Sequence, residues 1–341
     1  MYKANERARK NTGVIIFLLL ILILTIIVSI GIGKYAISPS ELIGIILSNF
    51  IDIKPYWTDR MEVIFYNIRF PRIMLAILVG CCHATAGAAY QGIFQNPMAS
   101  PDILGASAGA AFGAALAIMN DASSREITIS AFFFSVVAVL FVHFMSKRVK
   151  GNRILGLILS GIMISSLVSA GTSYLKLVAD PNDQLPAITY WLMGSLSGTK
   201  SSDVTFAIIP MLLGLIPIFL LRWQLNVLTL GDEEAKTIGI DTQKIRLIII
   251  LSATLLTASS VSVSGMIGWI GLIIPHLSRF LVGNDYRYLI PTSMLFGSVF
   301  LLIVDNVSRM LWTNEIPIGI LTAFIGAPFF LYLITREDNI S

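Results

Sequence analysis

The sequence predicts an all-α, polytopic membrane protein of about ten transmembrane helices, and two observations predict it. The 341 residues are 55% apolar and only 13% charged, with a mean hydropathy of +0.80. Soluble domains run nearer roughly 45–50% apolar and about 25% charged. The second observation is that apolar runs recur along the whole chain, at about 14–33, 72–92, 103–119, 127–146, 154–176, 205–221, 245–264, 266–283, 289–311 and 317–334. Each is near the roughly 20 residues that a helix needs to cross the hydrocarbon. Together these exclude a conventional soluble enzyme and a disordered chain, and they make residues 1–341 one membrane domain.

The runs are justified in order. Lys3, Arg7, Arg9 and Lys10 precede the first, which continues from Gly13 to Gly33 without a small-residue cleavage site. A secretory h-region is shorter, so this segment is read as a helix that stays. The segment 34–71 opens on Ser38-Pro39-Ser40-Glu41, which starts a short amphipathic stretch suited to the membrane interface. Cys81 and Cys82 are adjacent inside the second run and read as small packing residues. Gly105, Gly109 and Gly113 stripe the third run at four-residue spacing, which lets backbones approach closely. Gly265, Gly268 and Gly271, at the seventh–eighth junction, predict a close, bent crossing. Pro210, Pro217, Pro275 and Pro328 fall inside runs, where neighbouring helices can satisfy the freed carbonyls.

Ten spans put both termini on one side. With the N-terminus inside, inner segments hold 15 of the 24 Lys and Arg, with Lys147, Arg148, Lys150 and Arg153 as the firmest anchor. No G-x-x-x-x-G-K-[ST] loop and no H-E-x-x-H occurs, and His83, His143 and His276 are far apart. Catalytic chemistry, a cofactor and a metal site are therefore not expected. Asp305 is the clearest ionisable residue inside a span, thin support for ion coupling. Uphill transport would draw its energy from a partner.

Three constellations stand out. The inner loop Asn226–Lys244 contains Leu230 and Gly231, then Asp232, which can cap a short helix. Glu233 and Glu234 complement the helix dipole, Ala235 and Ile238 form an apolar side with Lys236 between them, and Gly239 suits a left-handed C-terminus. About two turns long, such a helix is either a capped loop helix or a docking element for a soluble partner. On the outside, Lys54, Arg60, Arg69 and Arg72 cluster where basic charge is disfavoured, and Arg309 closes the ninth span near Glu315. They either snorkel at the interface or dock an acidic extracytoplasmic protein. Finally, Asn96-Pro97 and Ser100-Pro101 stiffen a hairpin that presents Met98, a structural turn or a gate.

The stretches IRFPR (68–72), YQGIFQNPMASPDILGASAGA (90–110), LGDEEAKTIGI (230–240), SGMIGWIGLIIPHLSRFLVG (264–283) and EIPIGILTAFIGAPFF (315–330) resemble, in order, the hallmark blocks of the FecCD family. These are permease subunits of binding-protein-dependent ABC importers for iron–siderophore complexes, haem and cobalamin. The resemblance implies a cobalamin-importer-permease-like fold that dimerises, with the same or a sibling chain, around a central path. It implies ATP-binding cassette ATPase subunits and an extracytoplasmic substrate-binding protein as further partners, and no ATP hydrolysis on this chain.

Residue by residue, it makes the coupling surface Leu230, Gly231, Asp232, Glu233, Glu234, Ala235, Lys236, Ile238 and Gly239. It makes Arg69, Arg72 and Arg309 the residues that pair with glutamates on the binding protein. It assigns Asn96 and Met98 to the cytoplasmic gate, with Met where leucine is usual. The path is expected to be lined from the third, fifth and tenth spans, with Ser165, Ser169 and Thr172 as fifth-span hydroxyls. His276 reads as a hydrogen-bonded interior histidine, and Asp305 as an acid paired across helices. An iron–siderophore complex is the expected cargo, ahead of cobalamin and haem; the rivals are an ion-coupled secondary transporter using Asp305 and a membrane-embedded enzyme.

Overall fold

Helices occupy all ten apolar runs in the computed structural model, which describes residues 2–35, 37–149, 153–312 and 314–337. The chain starts with α1 (Tyr2–Gly31), α2 (Pro39–Leu47), α3 (Asp59–Ile64), α4 (Phe70–Ile93) and α5 (Ala106–Ile118). It continues through α6 (Ser124–Ser146), α7 (Arg153–Val178), α8 (Gln184–Met193), α9 (Ser201–Leu220) and α10 (Arg222–Leu228). It ends with α11 (Asp232–Thr237), α12 (Thr242–Ser264), α13 (Ile270–Val282), α14 (Tyr286–Met310) and α15 (Ile318–Glu337). Lys150 lies outside the described residues, as do the side chains of Arg153 and Asp232.

The ten runs are unequal. Seven helices are long and apolar enough to cross a membrane, whereas α5, α13 and the apolar part of α15 are shorter. The third and eighth runs were expected at 103–119 and 266–283, but α5 and α13 have only 13 residues each. At 1.5 Å per residue that is about 20 Å, two thirds of the hydrocarbon depth. The missing length is irregular: a 3₁₀ turn Pro101–Leu104 leads into α5, and a non-helical stretch from Gly265 to Trp269 leads into α13. Non-helical backbone at that depth survives only where protein covers it.

The second run begins earlier than expected. Helix starts at Asp59 and continues to Ile93, through a π turn at Phe65–Arg69. Pro71 lacks an N–H and its ring crowds the carbonyl one turn back. The wider turn, in which the Phe70 N–H donates to the Phe65 carbonyl, lets the helix run on through it. Helix α8 was not expected; ten residues ending at Gly194 are too few to register as a span. The opening of α2 is as read: Ser38 caps Glu41 N, and the Glu41 carboxylate accepts from Ser38 N.

The core is set by three helices. In α4, α12 and α14 the most apolar stretches are 78%, 72% and 61% buried, against 22–28% in α1, α6, α7 and α9. The outer helices turn apolar side chains such as Phe17, Leu167 and Leu213 outward, as a lipid solvent requires. Glycines bring the inner helices into backbone contact. A Cβ on Gly87 would collide with the Gly271 carbonyl of α13, and one on Gly80 with the Gly297 carbonyl of α14. Gly109 and Gly113 serve α5 against α6 in the same way, but Gly105 precedes that stripe as the left-handed N-cap of α5 (φ 78°).

Gly87→Ala is expected to destabilise the protein by about 1–3 kcal/mol or more through overpacking. Gly13→Ala, on an open face of α1, is expected to be neutral or slightly stabilising. Thermal unfolding in detergent by size-exclusion fluorescence checks this, and equal losses in both variants would defeat it.

Candidate functional site

Three groups of polar residues are placed by the fold. The first lies at the end of the bundle that holds α2. Arg69, Arg72 and Arg309 are only 3%, 6% and 7% exposed. Arg69 donates to the Ile30 carbonyl (2.6 Å) and the Tyr35 carbonyl, closing the turn after α1. Arg72 Nε donates to Asp305 Oδ1 (2.9 Å) and its Nη1 to Glu315 Oε2 (2.8 Å). Arg309 Nε sits 3.3 Å from Asp305 Oδ2, and its Nη2 donates to Ser29 Oγ (3.0 Å) and Asn306 Oδ1. Two arginines and two acids thus tie α1, α4, α14 and the approach to α15.

These arginines were expected to meet a binding protein directly, and their placement alters that expectation. All three point inward and are engaged by their own chain, because a guanidinium at membrane depth needs internal partners. The exposed members of the same cluster are Lys54 and Arg60. Asp305 does pair across helices, with Arg72 of α4.

The second group is the loop that carries α11. Gly231 (φ 125°) is the N-cap, so Asp232 is the first helical residue and not the cap that was expected. The helix has six residues, shorter than the two turns read from the sequence. Ala235 is fully buried and Ile238 is 56% exposed, so the two do not share a face; Ile238 and Leu230 present the apolar surface to solvent. Glu233, Glu234 and Lys236 are exposed beside them. Gly239 takes the left-handed conformation (φ 82°) as read, and the Ile240 N–H closes the end on the Ala235 carbonyl. Asp241 caps α12 by accepting from Gln243 N and Lys244 N.

The third group is the hairpin between α4 and the 3₁₀ turn. Asn96 Oδ1 accepts from Met98 N (2.8 Å), an Asx turn that holds Pro97 out. Asn96 and Met98 are both exposed, and Gln95 has φ 50°. A cavity of about 870 Å³ lies under this hairpin, lined by Gln91, Gln95, Asn96, Thr229, His276 and Arg279 among others. Arg279 Nη1 donates to Gln91 Oε1 (2.5 Å). His276 is half-buried on this wall, edge-on to Phe280, instead of deep in the interior.

Two residues that local patterns did not reveal join the second and third groups. Gln95 Nε2 donates to the Leu228 carbonyl at the end of α10 (2.8 Å). Asn226 of α10 donates to Asp285 Oδ1 (2.8 Å) and accepts from Tyr286 N (2.8 Å). Burial pushes the Asp285 carboxyl up, but hydrogen bonds from Arg287 and Asn226 reverse this and hold it below the ordinary range.

The fifth-span hydroxyls are not gathered into one open wall. Ser165 is half-buried near Gly105, Ser169 is exposed, and Thr172 is buried and bonds the Val168 carbonyl. A cleft of about 650 Å³ is instead lined by the start of α5 (Ser107), the end of α8 (Met193), the stretch Met266–Gly268 and α15 (Phe324). Third- and tenth-span residues line this cleft; Ser165, Ser169 and Thr172 do not.

A bundle with two helices of about two-thirds depth, an ion-paired end and a short capped helix at the opposite end has the form of a helical membrane transport protein. The sequence profile of the FecCD transport family matches residues 20–336, and the chain belongs to that family. It is 41% identical to the molybdate import system permease protein of Haemophilus influenzae, over 90% of this chain and 91% of that one. It is 39% identical to the Fe(3+)-citrate import system permease protein of Bacillus subtilis, over 99% of both chains. A solved inward-facing structure assigned to the metal-chelate type of ABC transporter superposes with a TM-score of 0.85 at 39% identity, covering 95% of this chain and 99% of that one.

Asp305→Ala strips both arginines of their shared acid and is expected to cost about 3–5 kcal/mol. Asp305→Asn keeps one acceptor and should lose less. Melting in detergent separates the two, with the exposed Asp52→Ala as control; a loss no larger than that control would refute the paired-charge account.

Proposed function

We propose that this chain is the membrane-spanning permease of an ATP-driven importer in the cell membrane, with both termini cytoplasmic, and that it passes an iron–siderophore complex or related ferric chelate. The observation that carries the reading is the end-to-end likeness to a ferric-citrate permease over 99% of both chains. Charge supports the orientation: 15 of 24 basic residues lie on the α11 side by the span order. In this reading α11 is received by an ATPase subunit through exposed Leu230, Glu233, Glu234, Lys236 and Ile238. The chain pairs with a second permease, identical or sibling, and the hairpin carrying Asn96 and Met98 forms the cytoplasmic gate.

A second cargo, an oxyanion such as molybdate, is favoured by one observation, the 41% identity to a molybdate permease. Ion coupling through Asp305 fits the geometry poorly, since both carboxylate oxygens face guanidiniums. Docking of the binding protein falls to the surface of the outer basic cluster. Lys54 and Arg60 meet the partner's acids there, while Arg69, Arg72 and Arg309 hold the platform beneath.

Uptake by proteoliposomes holding the complete transporter, offered ⁵⁵Fe–siderophore, ferric citrate, molybdate, haem and cobalamin in turn, is expected to show ATP-dependent accumulation of the ferric chelates. Accumulation of molybdate, haem or cobalamin but not of the ferric chelates would reject that cargo. Reversing the two exposed charges, Lys54→Glu with Arg60→Glu, is expected to weaken capture of the binding protein about tenfold at low salt. Unchanged affinity would remove the docking assignment.

A further inference from the structure

Helix α11 rests on α10 and α12, and α10 in turn packs on α4, α9 and α14. Only Thr229 to Gly231 separate α10 from α11, and the Leu230 N–H is bonded back to the Val227 carbonyl. A push on α11 is therefore delivered to α10. Two polar ties decide where it goes next. Gln95 Nε2 donates to the Leu228 carbonyl, a C-terminal acceptor that α10 cannot satisfy itself. Asn226 uses both ends of its amide on the start of α14, through Asp285 Oδ1 and Tyr286 N. The Gln95 tie is one residue from Asn96, whose side chain shapes the turn at Met98.

Gln95 is held at φ 50°, a conformation that side-chain-bearing residues seldom adopt. That backbone aims its amide away from the hairpin tip and onto α10. On the opposite side, Gln91 fastens the same end of α4 to Arg279 of α13 (2.5 Å). The hairpin is thus held between a lever, α10, and a fixed post, α13.

We propose that displacement of α11 reaches the Asn96–Met98 hairpin through α10, transmitted by the Gln95–Leu228 tie and steadied by the Asn226 clamp on α14, so that Gln95 and Asn226 are positioning residues for the gate. This rests on the reading above that α11 receives the ATPase. Without the ties, α10 tilts over α4 without moving the hairpin, and nucleotide closure no longer reaches the gate.

The test uses the complete transporter in proteoliposomes with Met98→Cys as a reporter. Its rate of labelling by a membrane-impermeant maleimide is compared with and without ATP–vanadate trapping. The parent is expected to change rate on trapping. In Gln95→Glu, which matches the shape but cannot donate, and in Asn226→Ala, that change is expected to shrink about tenfold, the factor for about 1.4 kcal/mol of lost hydrogen bonding. Gln95→Lys, which can still donate to the carbonyl, is expected to restore it, an outcome that mere loss of folding would not give. A parallel reporter, Glu233→Cys, should be protected by trapping in the parent and in Gln95→Glu alike. If Glu233→Cys is protected but the Gln95 and Asn226 variants respond like the parent, the transmission route is wrong while the ATPase reading stands. If Glu233→Cys is not protected in the parent, the ATPase reading falls and takes this route with it. A parent whose Met98→Cys rate ignores trapping also overturns the proposal.

Discussion

At Gly87 and Gly80 the backbone of α4 lies directly on the backbones of α13 and α14, and the remaining architecture follows from that approach. Between helices in a bilayer there is little hydrophobic driving force, because lipid tails are as apolar as the side chains they replace. Close packing and internal polar contacts must hold the bundle instead. Glycine removes the side chains that would keep axes apart, so α4 becomes the buried centre. The short α13 can then lodge against it, with its non-helical lead-in partly buried and bordering a cleft. That cleft runs along α15 and Met266–Gly268, where the backbone is not helical.

The end that holds α2 answers the same solvent with charge. Arg72, Asp305, Arg309 and Glu315 balance one another, and Ser29 and Asn306 accept from Arg309, while Arg72 Nη2 is buried without a hydrogen-bond partner. Such a cluster contributes little net stability relative to apolar packing, but breaking it is costly, so it specifies register among four segments. The basic residues at this end are of two kinds: Arg69, Arg72 and Arg309 are buried and engaged by their own chain, whereas Lys54 and Arg60 are exposed.

The opposite end carries a short helix between two glycines. Helix α11 has six residues, two glycines with positive φ around it, and an exposed apolar–acidic surface. Its connection to the bundle is through short α10, where Asn226 bonds to the start of α14 and the Leu228 carbonyl accepts from Gln95.

Much of this was legible along the chain. Ten apolar runs gave ten helices, Ser38 and Glu41 gave the cap of α2, and Gly239 gave the left-handed close of α11. These succeed because hydrophobic length, capping and positive φ are local properties, written within a few residues. The partners of Arg69 and Arg72, the opposed faces of Ala235 and Ile238, and the start of the second helix at Asp59 were not legible. Each depends on something distant or on a compensation: an acid 233 residues away, a neighbouring helix that covers one side of α11, or a π turn that accommodates Pro71. The Gln95–Leu228 tie spans 133 residues, and no spacing rule could announce it. Local chemistry chose the elements; burial against elements far along the chain chose which charges pair, which faces remain open and which polar groups can work together.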